Sequence, residues 1–249
     1  MVKSDEFLAG DLPDVKVGIG RAPESKFVET SVRVMDNPNI SIYTDPEKLA
    51  RDLADGKIDA AVRGDMSSAV LLPHVKKALG VDDLQRIVLM EYRGRLFLMA
   101  PVGIDEGWTV EDKVEMAEKG AALAKKLGFS TQRIAVLSGG RSDDIGRIDV
   151  VDESITDAVQ IVKQLKKKGY DAYDAEILIE DAMEDADLII APNGITGNLI
   201  FRVMHFIGNA PAFGAPLINS DKVFVDTSRV KTDFSDSLVL AMKLAGLRQ

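Results

Sequence analysis

The chain has 249 residues, 46% of them hydrophobic and 29% charged, a balance that supports a packed core under a wet surface and excludes a disordered or fibrous chain. With 31 Lys and Arg against 40 Asp and Glu the net charge is −9, which argues against nucleic acid or an anionic membrane as partner but leaves room for a local anion pocket. The absence of cysteine removes disulfides, thiolate nucleophiles, iron–sulfur clusters and Cys-type zinc sites, and with only His74 and His205 no multi-histidine metal cluster is expected.

In chain order, short apolar runs alternate with helical patterns. The N-terminal MVKSDEFLAGDLPD has no apolar h-region and no later run approaches a membrane span, so a cytoplasmic address is expected. VKVGIG (15–20) predicts a strand, 25–35 a helix, NISIY (39–43) a strand, and Asp45 or Pro46 to Ala54 a short helix. KIDAAV (57–62) follows as a strand, with Ser67 or Ser68 capping a helix to Leu79. Strands at 86–91 and 95–100 flank Tyr92, Arg93 and Gly94. Val110, Val114, Ala117, Ala121 and Ala124 mark one face of a helix over 109–128, where Thr109 and Asp112 fit a capping box.

RIAVLS (133–138) is the next strand, followed by a Gly-, Ser-, Asp- and Arg-rich loop and a helix from Asp152 to Lys168. AEILI (175–179) and DLIIAP (187–192) are expected as strands, or as a strand and a short helix. A helix over 196–206 should bury Ile200, Val203 and Ile207; KVFVDT (222–227) is the last strand and 233–247 the last helix. This alternation predicts an α/β chain with a mostly parallel sheet covered on both faces. A (β/α)8 barrel is the alternative, and uneven helix lengths count against it.

Ligands in open α/β sheets bind beyond the carboxyl ends of the strands, so the loops there hold the candidate chemistry. In RGDMSS (63–68), Gly64 allows a tight turn, and Arg63, Ser67 and Ser68 suit a phosphate at a helix start or a simple cap. SGGRSDDIGR (138–147) brings Ser138 and Arg141 or Arg147 to a glycine-rich loop, with Asp143, Asp144 and Asp149 able to orient the arginines, bind a divalent cation or stand in solvent. PNGITGN (192–198) offers Asn193, Thr196, Gly197 and Asn198 for ligand contact. In DTSR (226–229) Ser228 and Arg229 emerge at the same edge, with Asp236 to orient or deprotonate a group and Asp233 as an alternative helix cap. His74 shares a face with Leu71, Val75 and Ala78 and reads as a boundary residue.

The segments 54–75, 96–112, 185–208, 213–218 and 223–236, taken together and in order, resemble the phosphate acetyltransferase and butyryltransferase superfamily. More closely, the chain resembles its methanogen-specific branch, the marker family labelled methyltransferase subunit X. The resemblance implies two three-layer α/β/α lobes of the isocitrate/isopropylmalate dehydrogenase-like, phosphate acetyltransferase type, with an interlobe cleft. The lobes expected are 1–92 plus 216–249 and 93–215. It implies that Ser228 holds a coenzyme A sulfur, that Arg229 binds phosphate, and that Asp236 corresponds approximately to a thiol base, the intervening segment being one residue longer. Ser67, Ser68, Gly197 and Asn198 fall on the family's polar turn and Gly-Asn pair. Phe206 replaces an arginine of the acyltransferases, and Arg202 one turn earlier is a substitute.

These readings lead to a transferase moving an acyl group between phosphate and a CoA-like thiol. Coenzyme A or a related phosphate-bearing molecule would be substrate; no tightly bound cofactor and no metal are expected, and the state expected is a homodimer. The alternatives are a methyltransferase or methyl-transfer partner in methanogenesis, and a non-catalytic ligand-binding or assembly protein.

Overall fold

The computed structural model describes residues 3, 7 and 9–248. Its elements in chain order are β1 (Val17–Gly20), α1 (Phe27–Met35), β2 (Ile40–Tyr43), α2 (Pro46–Ala54), β3 (Ala60–Val62) and α3 (Ser68–Leu79). Then come β4 (Val88–Tyr92), β5 (Arg95–Ala100), α4 (Val110–Lys126), β6 (Ile134–Leu137), α5 (Asp149–Lys167), β7 (Ala172–Glu176), α6 (Ile179–Asp185) and β8 (Leu188–Ile190). Last are α7 (Gly194–Arg202), which continues into a π turn at Val203–Ile207, and β9 (Ala212–Pro216), β10 (Val223–Asp226) and α8 (Ser235–Gly246).

The chain forms two compact units, a split unit of 9–84 with 213–248 and a central unit of 85–212 together with residues 3 and 7, which the sequence division had placed in the first lobe. The sequence division after 92 differs, because β4 pairs antiparallel with β5 from Val88↔Met99 to Tyr92↔Arg95 and so groups with the central unit. Residues 1 and 249, the outer limits of the expected first lobe, lie outside the described residues.

In the split unit the strand order is β2-β1-β3-β10-β9, parallel except for β9, which runs antiparallel to β10. Side chains alternate across the sheet. Ala61 and its register partner Phe224 join Leu49 and Leu53 of α2 and Leu71 and Val75 of α3 in one buried cluster. Ala60 and Val62, with Val223 and Val225, point to the opposite face, where α8 packs on β1, β3 and β10 and α1 packs on α8. The two apolar periods, 2 in the strands and 3.6 in the helices, thereby meet in a three-layer unit.

Local chemistry sets the ends. Asp45 caps α2 by accepting from the Glu47 and Lys48 amides at 2.9 and 3.1 Å, with Pro46 at the first helical position. On that helix Asp52 is buried, and its carboxylate accepts from Lys48, from Lys57 Nζ at 3.1 Å and from the Tyr43 hydroxyl at 3.2 Å. The Lys48 ammonium and these other donors hold its pKa down to about 2. A carboxyl lowered in the fold stabilises it above the unfolded pKa and loses that contribution as pH falls toward the folded value. Asp52→Asn should therefore destabilise the protein by about 1–2 kcal/mol at neutral pH. Urea unfolding at several pH values should show the gap to wild type closing between about pH 4 and 2; a gap constant across that range would contradict it.

In the central unit the order is β4-β5-β8-β6-β7, parallel except for β4. Thr109 and Asp112 form the expected capping box of α4, with both bonds at 3.1 Å. Helices α4 and α5 pack together, and the buried Lys113 of α4 joins Asp157 of α5 at 3.0 Å to the Pro192 carbonyl at 3.2 Å.

Several sequence expectations are corrected. The strand placed at 175–179 lies at Ala172–Glu176, and Ile179 already begins α6; β9 was not foreseen. The helix expected over 196–206 starts at Gly194 and gives way to the π turn at Val203. Val203 and Ile207, expected on its buried side, are 54% and 75% exposed.

Candidate functional site

In the split unit the chain leaves β1 for β2 on one side and then returns past β1 to β3 on the other. The helices that follow β1 and β3 accordingly cover different faces, α1 with α8 and α3 with α2. Such a switch point is where open α/β sheets bind ligands.

Three post-strand loops interlock there. Gly64 has φ +62°, and a Cβ on it would sit 1.9 Å from the Gly20 carbonyl oxygen, so only glycine lets the loops after β1 and β3 touch backbone to backbone. The Ala22 amide donates to Asp65 Oδ1 at 2.6 Å. Thr227 Oγ1 donates to the Gly64 carbonyl at 2.6 Å, and the Arg63 amide donates to the Val225 carbonyl at 3.0 Å. Loops 63–68 and 226–231 thus lie side by side at the ends of the paired strands β3 and β10.

Arg63, expected to present charge to an anion, is buried. Its Nε donates to Asp226 and its Nη1 to the Met66 carbonyl at 2.8 Å. Its charge is offset by Asp226, and the side chain ties one loop to the other. Ser67 occupies the N-cap position of α3 without a side-chain capping bond, and Ser68 is exposed. No hydroxyl therefore covers the start of this helix.

Ser228 is half-buried; its carbonyl accepts from the Lys231 amide at 3.1 Å. Arg229 is exposed and has no carboxylate partner among the described residues. Asp236 Oδ1 accepts from Lys231 Nζ at 2.6 Å, and the same lysine reaches Ser237 Oγ at 3.2 Å. Burial pushes the Asp236 carboxyl up, against the pull of the Lys231 ammonium. Asp233 accepts from the Ser235 amide and hydroxyl at 2.9 and 2.7 Å and from the Ser31 hydroxyl at 3.3 Å, fixing the entry to α8 onto α1.

The candidate residues of the central unit are largely engaged within it. Asn193 Oδ1 accepts from the Thr196 amide at 2.9 Å and hydroxyl at 3.1 Å, capping α7. Gly194 and Gly197 permit close approach of backbone: added Cβ atoms would meet the carbonyl oxygens of Gly103 and Pro101 at 1.6 and 1.9 Å. Asn198 Nδ2 donates to the Val102 carbonyl at 2.9 Å. The density of Gly and Asn in 192–198 is thus used to seat α7 on loop 101–103. Ser138 is buried and donates to the Gly140 carbonyl at 2.8 Å. Arg141 is exposed, its amide donating to Asp144 Oδ2 at 2.9 Å, and Asp144 also pairs with Arg147. Arg202 lies over the Phe206 ring.

Asp226, Thr227, Asp65 and Lys231 carry much of this geometry and were not singled out from sequence. An acid ending a wholly buried strand, as Asp226 does, is the one local sign of it. Among the described residues, no group of three or more His, Asp or Glu could hold a metal ion, and no helix is long and apolar enough to cross a membrane.

The interlocked loops on a mostly parallel sheet define an α/β protein of the class whose ligands sit at the carboxyl ends of the strands. The chain matches the Phosphate acetyl/butaryl transferase family over residues 39–242 and belongs to it. Within that family it is 40% identical over 233 residues to a Methanosarcina mazei protein named "Putative methyltransferase mtx subunit X", covering 93% of this chain and 81% of that one. An uncharacterized methyltransferase of Methanopyrus kandleri is 34% identical, over 96% of this chain and 97% of its own. Among solved structures, a branched-chain phosphotransacylase from Enterococcus faecalis V583 superposes with a TM-score of 0.70 at 18% identity, covering 93% of this chain and 99% of that one. A phosphotransacetylase from Streptococcus pyogenes gives 0.66 at 15% identity, covering 94% and 95%. These two share the fold.

Proposed function

We propose that this chain is a transferase that binds a phosphate-bearing small molecule on loops 63–68 and 226–231 and serves methyl transfer. The observation that carries the binding reading is the convergence of those loops. They bring the uncapped start of α3, the hydroxyls of Ser67, Ser68 and Ser228, and the exposed Arg229 to one edge of a sheet. Amides at a helix start and a guanidinium favour an oxyanion even in a protein of net charge −9. Methyl transfer is favoured by the names of the relatives.

A second reading, acyl exchange between phosphate and a CoA-like thiol, is favoured by the neighbouring Ser228 and Arg229. There Ser228 would position the thiol and Asp236 would take its proton. The thiolate sulfur would bond to the acyl carbon, and the acyl–oxygen bond would break to release phosphate to Arg229. The remaining candidates, Ser138, Arg141, Asn193, Thr196, Gly197, Asn198 and Arg202, belong to the central unit, and we propose them as ligand contacts within that unit.

We assign a homodimer on the exposed apolar stripe Ile195, Leu199, Val203 and Ile207, spaced four residues apart and 47–75% exposed. Native mass spectrometry of freshly purified protein would report retained ligand and subunit number together. For the site, Arg229→Ala should weaken binding of coenzyme A, acetyl phosphate or phosphate by about 1–3 kcal/mol, about 5- to 150-fold in Kd. Arg229→Lys should recover part of this, since the charge returns without the planar fork. Calorimetric titration decides it: wild-type binding unchanged by Arg229→Ala removes the assigned role, and no wild-type binding of any of the three favours a methyl-transfer partner or assembly protein. Release of CoA thioester from acetyl phosphate would select the acyl reading over the methyl one.

A further inference from the structure

Among the described residues, three buried side-chain atoms have no hydrogen-bond partner: Arg21 Nε, Asp65 Oδ2 and Arg133 Nε. Arg133 stands just before β6, at the amino end of that strand, where its guanidinium lies over Tyr173 and meets Asp185 at 3.4 Å. The other two belong to one place. Arg21 follows β1 and Asp65 follows β3, and their loops are joined by the Ala22 amide donating to Asp65 Oδ1 at 2.6 Å. They stand at the switch point of the split unit, where an open α/β sheet binds its ligand.

Asp65 is set apart from the other buried acids by what it lacks. Asp52 meets Lys48 and Lys57, Glu106 meets Arg86, and Asp226 meets Arg63. Asp187 accepts from the Thr131 hydroxyl and the Arg133 amide. Asp65, 4% exposed, has one backbone amide at Oδ1 and nothing at Oδ2 among the described residues. A buried carboxylate oxygen without a donor costs the fold its desolvation, and so does a buried N–H without an acceptor. The backbone on both sides is fixed: the Arg21 amide donates to the Tyr43 carbonyl at 2.8 Å, and Gly64, beside Asp65, packs on the Gly20 carbonyl.

One acceptor and one donor left open on joined loops select the group that satisfies both. An ammonium donates to Oδ2 but has no lone pair for Nε; a phosphate or carboxylate accepts from Nε but brings a like charge to Asp65. A hydroxyl donates once and accepts twice. We propose that Asp65 and Arg21 read a hydroxyl group of the ligand, which is thereby a phosphorylated alcohol or polyol. The inference deepens, and rests on, the phosphate-site reading above. Asp65 is two residues before Ser67, about 7 Å of chain at most, so a hydroxyl a few bonds from a phosphate at the start of α3 comes within its range. Access is through Arg21, whose side chain is 23% exposed and whose pair with Glu29, itself 49% exposed, holds its tip only weakly.

The test titrates the full chain calorimetrically with glycerol 3-phosphate, n-propyl phosphate and 3-aminopropyl phosphate, which share a three-carbon skeleton and differ in carrying hydroxyls, no polar group or an ammonium. Wild type should bind glycerol 3-phosphate about 5- to 150-fold more tightly than n-propyl phosphate, because the apolar chain leaves both buried atoms unpaired. Asp65→Asn keeps an oxygen for the Ala22 amide and puts an NH2 donor in place of Oδ2, so it should bring that ratio to about 1 while leaving n-propyl phosphate binding within about 2-fold of wild type. Arg21→Ala should lower the ratio as well. A residue that only held the loops together would weaken all three phosphates alike and keep the ratio. Arg229→Ala should weaken all three by a common factor, so the two readings fail separately: a ratio lost in Asp65→Asn with no effect of Arg229→Ala would support this inference while removing the Arg229 site. Equal wild-type binding of glycerol 3-phosphate and n-propyl phosphate would mean that solvent alone meets the two atoms, and would overturn it. So would a preference for 3-aminopropyl phosphate, a ratio untouched by Asp65→Asn, or no binding of any of the three by wild type.

Discussion

Arg63→Met should destabilise the split unit by about 3–5 kcal/mol, the range for removing one member of a buried ion pair. Arg63 is 6% exposed and Asp226 8%; their contact joins the ends of β3 and β10, and the Met66 carbonyl depends on the same guanidinium. Losing the arginine leaves Asp226 with only its other polar contacts, among them the Thr227 amide at 2.8 Å, to support a charge with little access to water. The double variant Arg63→Met/Asp226→Leu should recover a large part of the loss, because no charge remains to be desolvated. Urea unfolding of the single and double variants checks this; additive losses would show that the two residues act separately. Binding of phosphate should fall in parallel with loop order, which separates this supporting role from the direct contact assigned to Arg229.

Gly64→Ala should cost about 2–5 kcal/mol, combining left-handed backbone strain of about 1–2 kcal/mol with overpacking of about 1–3 kcal/mol. The added Cβ would sit 1.9 Å from a backbone oxygen of Gly20, and backbone in a paired strand cannot swing aside as a side-chain tip can. Gly80 is the internal control. It has φ +67°, at the end of α3, with nothing within 4 Å of an added Cβ, so Gly80→Ala should cost only the strain, about 1–2 kcal/mol. Thermal or urea unfolding of both variants gives the comparison, and equal losses would mean that the close approach of the β1 and β3 loops does not constrain the fold.

The helices and most strands were legible because their signals are local. Asp45 and Pro46 start α2, Thr109 and Asp112 start α4, and the apolar spacing of 110–124 fixes the buried face of that helix. The family was legible for a related reason, since several post-strand loops carry its residue types in order. Where a stretch owes its conformation to a distant partner, that reading failed. β9, with sequence AFGAP, contains Gly and Pro and is a strand because it lies antiparallel to β10. The strand at Ala172–Glu176 is set by pairing with β6, including a register shift between Val136 and Leu137, while the more apolar Ile177–Ile179 falls outside it. Spacing alone could not place Val203 and Ile207 in solvent, since a helical period says which residues share a face and not what that face meets.

The site divides in the same way. The residue types of 63–68 and 226–229 fit either an anion-binding edge or simple helix caps, and the strand-to-helix order placed both loops at strand ends. The partners of those residues were decided only in three dimensions. Arg63 meets Asp226 across 163 residues of chain, and Asp65 meets Ala22 across 43. A buried arginine beside an acid and an exposed arginine open to a ligand have the same sequence signature. Desolvation and charge pairing, which depend on what the folded chain brings alongside, make Arg63 a tie within the protein and leave Arg229 at its surface.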